Sequence, residues 1–445
     1  MEPAGARAMA GLAGTWQRLH PLSPLVRAGR GVFAIVVILL LPASHNSGSS
    51  TNDWLHVIVL VVAFLLAGIS WLVTRWRIED GDLRMESGLI RRTSERFPLS
   101  QIQAIDTVRP GLARVLGLAE LRIRVAGGSR RAGRLAYLTS ADAEVLRVRL
   151  LAMSRGAAVA AAPDVSAPAF ERTLITVESG PLLASLMLSG PGLLLELLAL
   201  ALFLAAILAP TVAAGAATTA ALALVVLVIH LFQRLNGSYG LTVSETGMGL
   251  RVRAGLIETS DETIPGARIQ AIRMVEPFLW RMLGWCRVEV DVASQKSRGR
   301  QDRLEARAVR SLLPVGPRGQ GLALVATIFP EAPHERLVPP ARARLKSPLR
   351  YGRLSWAAND RFAVTTSGRL RRATDWVPLA KVQSIRRVEG PVQRALALAS
   401  VHLDTAGRRV HAVVRDRDRE EAARLLEELP DRCRHARRLE VAGRG

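Results

Sequence analysis

Arginine and lysine are the residues whose type and spacing most clearly suggest chemistry in this sequence. The 445 residues include 60 Lys+Arg against 38 Asp+Glu, a net charge of +22. The clustered basic residues are Arg91, Arg92, Arg130, Arg131, Arg134, Lys296, Arg298, Arg300, Arg303, Arg342, Arg344, Lys346, Arg371 and Arg372. Each basic side chain near an anionic leaflet contributes about 1 kcal/mol. The clusters predict binding of anionic lipid headgroups or a protein partner, although any single cluster is also typical of an arginine-rich solvated surface.

Catalytic chemistry is not indicated. The sequence has no P-loop, Rossmann, HExxH or GxSxG pattern, and none of its eight histidines is paired at metal-ligand spacing. Cys286 and Cys433 are too few for a disulfide framework or a zinc quartet, which fits a reducing compartment. We therefore expect no enzyme activity, metal or cofactor, and no small-molecule substrate. Aromatic residues make up only 4%, which disfavours nucleic-acid binding.

Glu196 is a carboxylate within an apolar run. An acid inside a membrane is a functional candidate by default, for example as a proton relay. The other interpretation, which we favour, places Glu196 within a turn or two of the cytoplasmic interface, where it stays hydrated.

The elements that position these residues are repeated. In three places a glycine lies ten residues before a proline, and the proline lies five residues before a glutamine. The landmarks are Gly88, Pro98 and Gln103; Gly255, Pro265 and Gln270; and Gly368, Pro378 and Gln383. Shared spacing of this kind predicts internal repetition.

We interpret the three glycines as turn residues with positive φ and place the three prolines at strand starts. The aliphatic residues beside each glutamine are expected to pack inward. The glutamine is then expected to cap an edge or a turn, which we prefer to a role as a ligand contact.

Short strand-like runs closed by one helix follow each landmark set, so the sequence predicts an α+β chain with three small domains. Each would be a bent antiparallel β-sheet closed by a C-terminal helix. The predicted boundaries are 1–24 for an N-terminal segment, 25–73 for a first apolar hairpin, 74–154 for domain one, 155–180 for a linker, 181–232 for a second hairpin, 233–330 for domain two, 331–354 for a basic linker, 355–429 for domain three and 430–445 for a disordered tail.

Both hairpins are predicted to cross a membrane. The apolar runs are Leu25–Ala43 and Trp54–Val73, then Pro191–Ala209 and Thr211–Phe232, each close to the roughly 20 residues that a helix needs. The loop Ser44–Asp53 has no Lys or Arg, whereas arginines flank the spans, so the positive-inside rule predicts both termini and all domains in the cytoplasm. A cleaved signal peptide is the alternative for the first run.

The landmarks of the first copy resemble the bacterial PH family of membrane-flanked domains. The resemblance is carried by G-L-I-R-R from Gly88, P-L-x-x-I-Q-x-I from Pro98, R-P at Arg109 and R-x-L-G-L from Arg114. The order hairpin, domain, hairpin, domain, domain is similar to YdbT-like membrane proteins of that family. This resemblance implies three PH-like domains and a membrane location, but no agreed activity or binding residue. In the third copy Ala397 replaces the glycine of the Leu-Gly pair.

The function expected from these features is that of a non-enzymatic, multi-pass scaffold or adaptor in the inner membrane. Its PH-like domains would face anionic lipids, a protein partner or a second copy of the chain. PH-like sheets also bind peptides at an open edge. The alternative is a component of a membrane transport or export/resistance system that uses the hairpins, with Glu196 as its foothold.

Overall fold

The computed structural model describes residues 16–18, 20–23, 73–79, 82–87, 92–99, 102–125, 133–153, 171–208, 210–247, 249–293, 311–333, 335–407 and 409–442. The first predicted hairpin, 25–73, therefore lies outside the described residues except for Val73.

Repeat one consists of two strand triplets and a closing helix, preceded by a short strand. Its strands are β1 Gln17–Arg18, β2 Arg75–Glu79, β3 Asp82–Ser87, β4 Thr93–Pro98, β5 Ile102–Arg109, β6 Leu118–Val125 and β7 Gly133–Thr139. Its helices are the short α1 Gly111–Val115 and the closing α2 Ser140–Met153.

Repeat two has the same order, with helices inserted after its leading strand. The leading strand is β8 Glu171–Thr176, and the inserted helices are α3 Ser179–Met187, α4 Gly190–Leu208 and α5 Pro210–Ser238. The triplets are β9 Thr242–Thr246, β10 Gly249–Ala254 and β11 Thr259–Ile264, then β12 Ile269–Pro277, β13 Trp285–Val292 and β14 Ser311–Pro317. The helices of the second triplet are the short α6 Phe278–Met282 and the closing α7 Arg318–Ile328.

Repeat three begins with the four-residue helix α8 Ala343–Lys346. Its triplets are β15 Ser355–Ala358, β16 Phe362–Ser367 and β17 Arg371–Pro378, then β18 Val382–Val388, β19 Leu398–Thr405 and β20 Ala412–Asp418. Its other helices are the short α9 Pro391–Ala395 and the closing α10 Arg419–Ala442.

The chain forms two compact units. One comprises Met1–Glu171, Ser189–Gly240 and Arg251–Thr263, and the other comprises Arg172–Leu188, Leu241–Leu250 and Ile264–Gly445. The first unit holds a sheet in the order β1-β2-β3-β4 and adjacent strands in the order β7-β6-β5-β11-β10. The second unit holds a sheet in the order β14-β13-β12-β17-β16-β15 and a sheet in the order β18-β19-β20.

The repeats share core positions as well as strand order. One such position lies twelve residues before the turn glycine. It is occupied by Val243 in repeat two and by Trp356 in repeat three, and both side chains are buried. In repeat one it is Trp76, which joins a core cluster with Leu83, Ile105 and other apolar residues. Equivalent positions are therefore buried in all three copies, which confirms that the landmarks mark one repeated fold.

The turn glycines behave as predicted where the structure describes them. Gly255 has φ 127° and Gly368 has φ 108°. A Cβ at either position would collide with the carbonyl oxygen three residues later, at Glu258 or Arg371. Only glycine adopts such a backbone without strain. Gly88 lies outside the described residues.

The prediction that the three prolines start strands is wrong. Pro98 ends β4, Pro378 ends β17, and Pro265 directly follows β11. Proline has no N–H, so it terminates the hydrogen-bond ladder. In repeat two its carbonyl instead accepts the N–H of Arg268 at 2.9 Å, which forms the tight turn before β12.

The linker and tail predictions also need correction. The predicted linker 155–180 contains β8 and the start of α3. The predicted disordered tail after Leu429 is instead part of α10, which continues through Pro430 to Ala442. Cys433 and Ala436 are buried in the core of repeat three together with Leu425. These residues lie on one helix face, and their burial outweighs the hydrogen bond lost at Pro430.

The helix α2 begins at Ser140. The residue before it, Thr139, supplies the capping side chain. Its Oγ1 accepts the N–H of Asp142 at 3.2 Å and donates to the Asp142 carboxylate at 2.6 Å. The Ser140 hydroxyl donates to the carbonyl of Gly117.

Each repeat has a residue in the left-handed conformation just before the middle strand of its second triplet. The carbonyl of this residue is hydrogen-bonded to the start of the closing helix. Gly117 has φ 68°, Gly284 has φ 67°, and Ala397 has φ 49°. Each carbonyl accepts the N–H of the residue that begins the closing helix, at 2.8 Å from Ser140, 2.8 Å from Arg318 and 3.0 Å from Arg419. Repeat three thus keeps the turn although it has lost the glycine.

Ala397→Gly is expected to stabilise repeat three by about 0.5–1 kcal/mol, because an L residue in the left-handed region costs about 1–2 kcal/mol and the greater freedom of unfolded glycine offsets part of that. Urea denaturation followed by tryptophan fluorescence measures the change. Ala399→Gly in β19 is the control and should lower stability. A loss of stability in Ala397→Gly would contradict the strained-turn assignment.

Candidate functional sites at the hairpins and repeat edges

The helices inserted in repeat two expose apolar side chains. In α4 the exposed residues include Leu194, Leu197, Phe203 and Ile207, and only Gly192 is buried. Within the described part of the chain α4 is the one helix long and apolar enough to cross a membrane. The 29-residue α5 has an apolar part, Ala223–Ser238, that is shorter than a full span. Two complete transmembrane hairpins are therefore not confirmed.

Glu196 lies in α4 and is exposed. No hydrogen bond or ion pair joins its carboxylate to another described residue.

The two ends of each insertion lie side by side. Gln17 and Arg18 pair antiparallel with Trp76 and Arg75, on either side of the first predicted hairpin. At the second insertion, Val177 before α3 donates its N–H to the carbonyl of Leu241 after α5 at 2.9 Å. The chain therefore leaves and returns at the same place in both repeats.

Repeat three has a short basic segment at the equivalent place, which we call the Arg342 segment, residues 337–353. It begins at Leu337, which bridges to Trp356 of β15 with N–H···O distances of 2.7 and 3.0 Å. Arg342 forms an ion pair with Asp418, and Lys346 forms one with the buried Asp416. These two predicted binding residues thus tie the segment to repeat three.

The outer side of the Arg342 segment is both apolar and basic. Leu345 is 77% exposed and Leu349 is 60% exposed. Arg344 lies over the ring of Tyr351, 5.8 Å from its centroid, and Arg350 is exposed. Leucine tips beside arginines are typical of an element that lies in a membrane interface.

Adjacent repeats are joined edge to edge by two antiparallel pairings, which we call joint one and joint two. In joint one β5 pairs with β11, and in joint two β12 pairs with β17. In each joint, one strand is the first of the second triplet of a repeat. The other strand is the last of the first triplet in the following repeat. The β12 strand is almost entirely buried as a result.

Joint two contains a buried bidentate ion pair. Arg273 Nε and Nη2 donate to the two carboxylate oxygens of Asp375 at 2.5 and 2.8 Å. Burial raises the pKa of the Asp375 carboxyl, and the hydrogen bonds and charge of Arg273 oppose that rise. Arg273 Nη1 also donates to the carbonyl of Arg409 at 3.1 Å. This cluster holds the register of the joint.

The predicted binding residues Arg371 and Arg372 lie at the end of the same joint. Arg372 is opposite Glu276 in the strand register, with 3.7 Å between Nε and Oε2. Arg371 lies 3.8 Å from the Glu289 carboxylate. The buried Glu276 also forms an ion pair with Arg318, with 3.3 Å between Oε1 and Nε. Both arginines therefore have carboxylate partners within the protein.

A second charge cluster lies beside joint one. Arg251 donates to the Asp261 carboxylate, with Nε–Oδ1 at 2.8 Å, and reaches Glu171 at 3.4 Å and Glu144 at 3.7 Å. Burial raises the pKa of Asp261, but the hydrogen bond and charge of Arg251 outweigh that effect and the net pKa is lowered. Glu144 belongs to the closing helix of repeat one, so Arg251 links that helix to β11.

The remaining predicted residues are distributed as follows. Arg92 is exposed at the start of β4. Gln270 is buried and donates to the carbonyl of Arg268 at 3.3 Å, which confirms a turn-capping role, whereas Gln383 is exposed. Outside the description lie the side chains of Arg91, Gln103, Arg130, Arg131, Arg134, Lys296, Arg298, Arg300 and Arg303.

Sequence reasoning missed Arg251, Asp261, Arg273 and Asp375. A signal was present, because Arg273 and Asp375 occupy fixed distances from the landmarks of consecutive repeats. It could be used only once the strand pairing was known. Among the described residues no group of three or more His, Cys, Asp or Glu could hold a metal ion.

Arg273→Ala is expected to destabilise the second unit by about 3–5 kcal/mol, because it leaves the Asp375 carboxylate buried without its partner. Arg386→Ala removes the arginine at the same position of repeat three, where it is exposed, and should change stability little. Urea denaturation measures the change in the free energy of unfolding for each of the two variants. Equal effects would contradict the proposed importance of joint two.

Comparison with known proteins adds a family assignment. The sequence profile of the bacterial PH domain matches three segments, residues 32–154, 193–315 and 308–432. No curated protein and no solved structure matches the chain. The three matches cover most of the sequence and contain the three sets of landmarks. The chain therefore belongs to the bacterial PH domain family and carries three copies of that domain.

Proposed function

We propose that this protein is a non-enzymatic membrane scaffold. Its inserted helices anchor it, and its three bacterial PH domains stay on the cytoplasmic side, where they contact anionic headgroups and protein partners. The observation that carries the proposal is α4. A helix with many leucine and phenylalanine side chains exposed, and only Gly192 fully buried, is stable in lipid and unfavourable in water.

The paired ends of the two insertions support a common orientation. A chain that leaves and re-enters a domain between neighbouring, hydrogen-bonded residues crosses a bilayer an even number of times or not at all. The pairing of Arg18 with Arg75 and the bond from Val177 to Leu241 both have this form. The arginine-free loop Ser44–Asp53 favours the outer side for the turn of the first hairpin.

The Arg342 segment supports a lipid surface beneath repeat three. It occupies the place in repeat three that corresponds to the helical insertions of the other repeats, so its exposed leucines take the position of a membrane-directed element within that repeat. Leucine tips and arginine charges together favour an anionic interface more than either does alone. The Arg344 side chain is the best candidate for a headgroup contact, because Arg342 and Lys346 are engaged by carboxylates.

Transport is the second function class that the sequence leaves open. The residue on which this alternative depends, Glu196, is exposed and has no partner among the described residues. No observation therefore favours transport.

Reporter fusions in the bacterial host test the orientation. Fusions after Gly127 and at the C-terminus are expected to give a cytoplasmic signal, and a fusion within Ser44–Asp53 a periplasmic one. A periplasmic signal after Gly127 would contradict the topology and favour a cleaved signal peptide.

A fluorophore on Leu345→Cys tests the interface role of the Arg342 segment. In proteoliposomes containing phosphatidylglycerol, a lipid-attached quencher is expected to quench it, because the side chain enters the interface. The control is Val441→Cys, which is 73% exposed at the end of α10. Equal quenching at both positions, or none at Leu345→Cys, would contradict the proposal.

A further inference from the structure

The strand that forms joints one and two has a third copy, whose outer edge faces no other strand in the described part of the chain. β5 and β12 each pair on one side with the next strand of their own triplet, and on the other side with a strand of the following repeat. β18 is their equivalent in repeat three, yet it is the end strand of its sheet in the described part of the chain. Ser384, Arg386, Arg387 and Val388 are exposed, whereas most of β12 is buried.

The complementary edge also has a third copy. β11 and β17 each end a first triplet and accept the preceding repeat. β4 is their equivalent in repeat one, and it is the end strand of its described sheet. Ser94 and Arg96 are exposed on it. The protein thus presents one edge of each type that its own joints bring together.

The two joints share one register. In joint one Thr107, five residues after the first residue of β5, faces Asp261, six residues after the turn glycine. In joint two Met274, five residues after the first residue of β12, faces Thr374, six residues after the turn glycine. Two independent joints with the same register give a rule that can be applied to the third pair of edges.

Applied to β18 and the β4 of another copy, the rule sets Arg387 opposite Ser94. The neighbouring pairs are then Arg386 with Glu95 and Glu389 with Arg92. These positions are those of Arg273 with Asp375 and of Glu276 with Arg372 in joint two. Both opposite-charge pairs of joint two are reproduced, with the same sign on the same strand.

We propose that β18 of one molecule pairs with β4 of a second copy, so that the chain associates head to tail and repeats its own joint. The inference does not depend on lipid binding by the PH domains. Because the two edges differ, the contact is heterologous, and it closes into a ring or extends as a row.

The present partner of Arg386 does not prevent this pairing. Arg386 Nε donates to Asp404 at 2.7 Å. The equivalent of Asp404 in repeat two is Asp291, whose charge also acts on Arg273 while Arg273 binds Asp375. Asp404 now takes both Arg386 Nε and Nη2, the two donors that Arg273 gives to Asp375. On pairing, Arg386 therefore turns these donors to Glu95 of the other copy. Asp404 stays beside it as a second negative charge, as Asp291 does for Arg273.

Charged residues on an edge strand can also serve to keep the strand unpaired. The two roles predict opposite results for charge reversal. Under the proposal Arg386→Glu weakens association of the full-length protein in detergent by about tenfold or more, because it sets a second carboxylate against that of Glu95. Combining it with Glu95→Arg in the same chain restores association. Mass photometry over a dilution series measures the constants.

Cysteine crosslinking tests the register directly. Full-length chains with Arg387→Cys and chains with Ser94→Cys carry different tags and are mixed before mild oxidation. Facing residues in an antiparallel pair lie close enough for a disulfide. A covalent dimer carrying both tags is expected. The control mixes Arg387→Cys with Arg96→Cys, two residues out of register, and should give far less product.

The native cysteines should not compete in this reaction. Cys286 and Cys433 are buried, and burial raises the pKa of Cys286 to about 12. A protein that stays monomeric at all concentrations with no two-tag dimer overturns the proposal. So does crosslinking of Arg387→Cys in cells to a different protein instead of a second copy, because the edge would then serve another partner.

Discussion

The outer edge of a β-strand carries N–H and C=O groups that need hydrogen-bond partners, and this requirement organises the chain. Each bacterial PH domain here has one edge at its second triplet and one at its first. The protein satisfies four of these edges, two in each joint, by pairing consecutive domains. The same register in both joints shows that the pairing is a property of the repeat. Separate domains on flexible linkers would leave those edges to water or to other chains.

The joints explain why some of the described basic residues have partners within the protein. Strand pairing brings side chains from two domains into one face, and burial there requires each charge to have a partner. Arg273 and Arg372 meet carboxylates for this reason, whereas Arg371 stays exposed beside the Glu289 carboxylate. Arginines of the Arg342 segment such as Arg344 remain at the surface instead. A residue's position relative to a joint thus decides whether its charge supports the fold or is open to a ligand.

Much of the fold could be predicted from the sequence because its signals are local. The glycine–proline–glutamine spacing predicted the three repeats, and each was expected to end in a closing helix, as α2, α7 and α10 do. The joints could not be predicted, because their strands lie about 100 to 150 residues apart and β-pairing leaves no local signature. The end of α10 was missed for a different reason. A proline usually ends a helix, but α10 continues past Pro430. The burial of Cys433 and Ala436, which favours this continuation, is visible only in the structure.

Membrane anchoring and edge pairing would reinforce each other. A single pair of strands buries little surface, so head-to-tail association of free molecules is expected to be weak. Molecules held in one bilayer with their domains on the same side meet at a higher effective concentration and with fewer orientations to search. An edge contact that is marginal in solution can then become populated at the membrane. The charged residues of β18 fit this situation, since they oppose indiscriminate strand pairing and favour the one edge that carries the complementary charges.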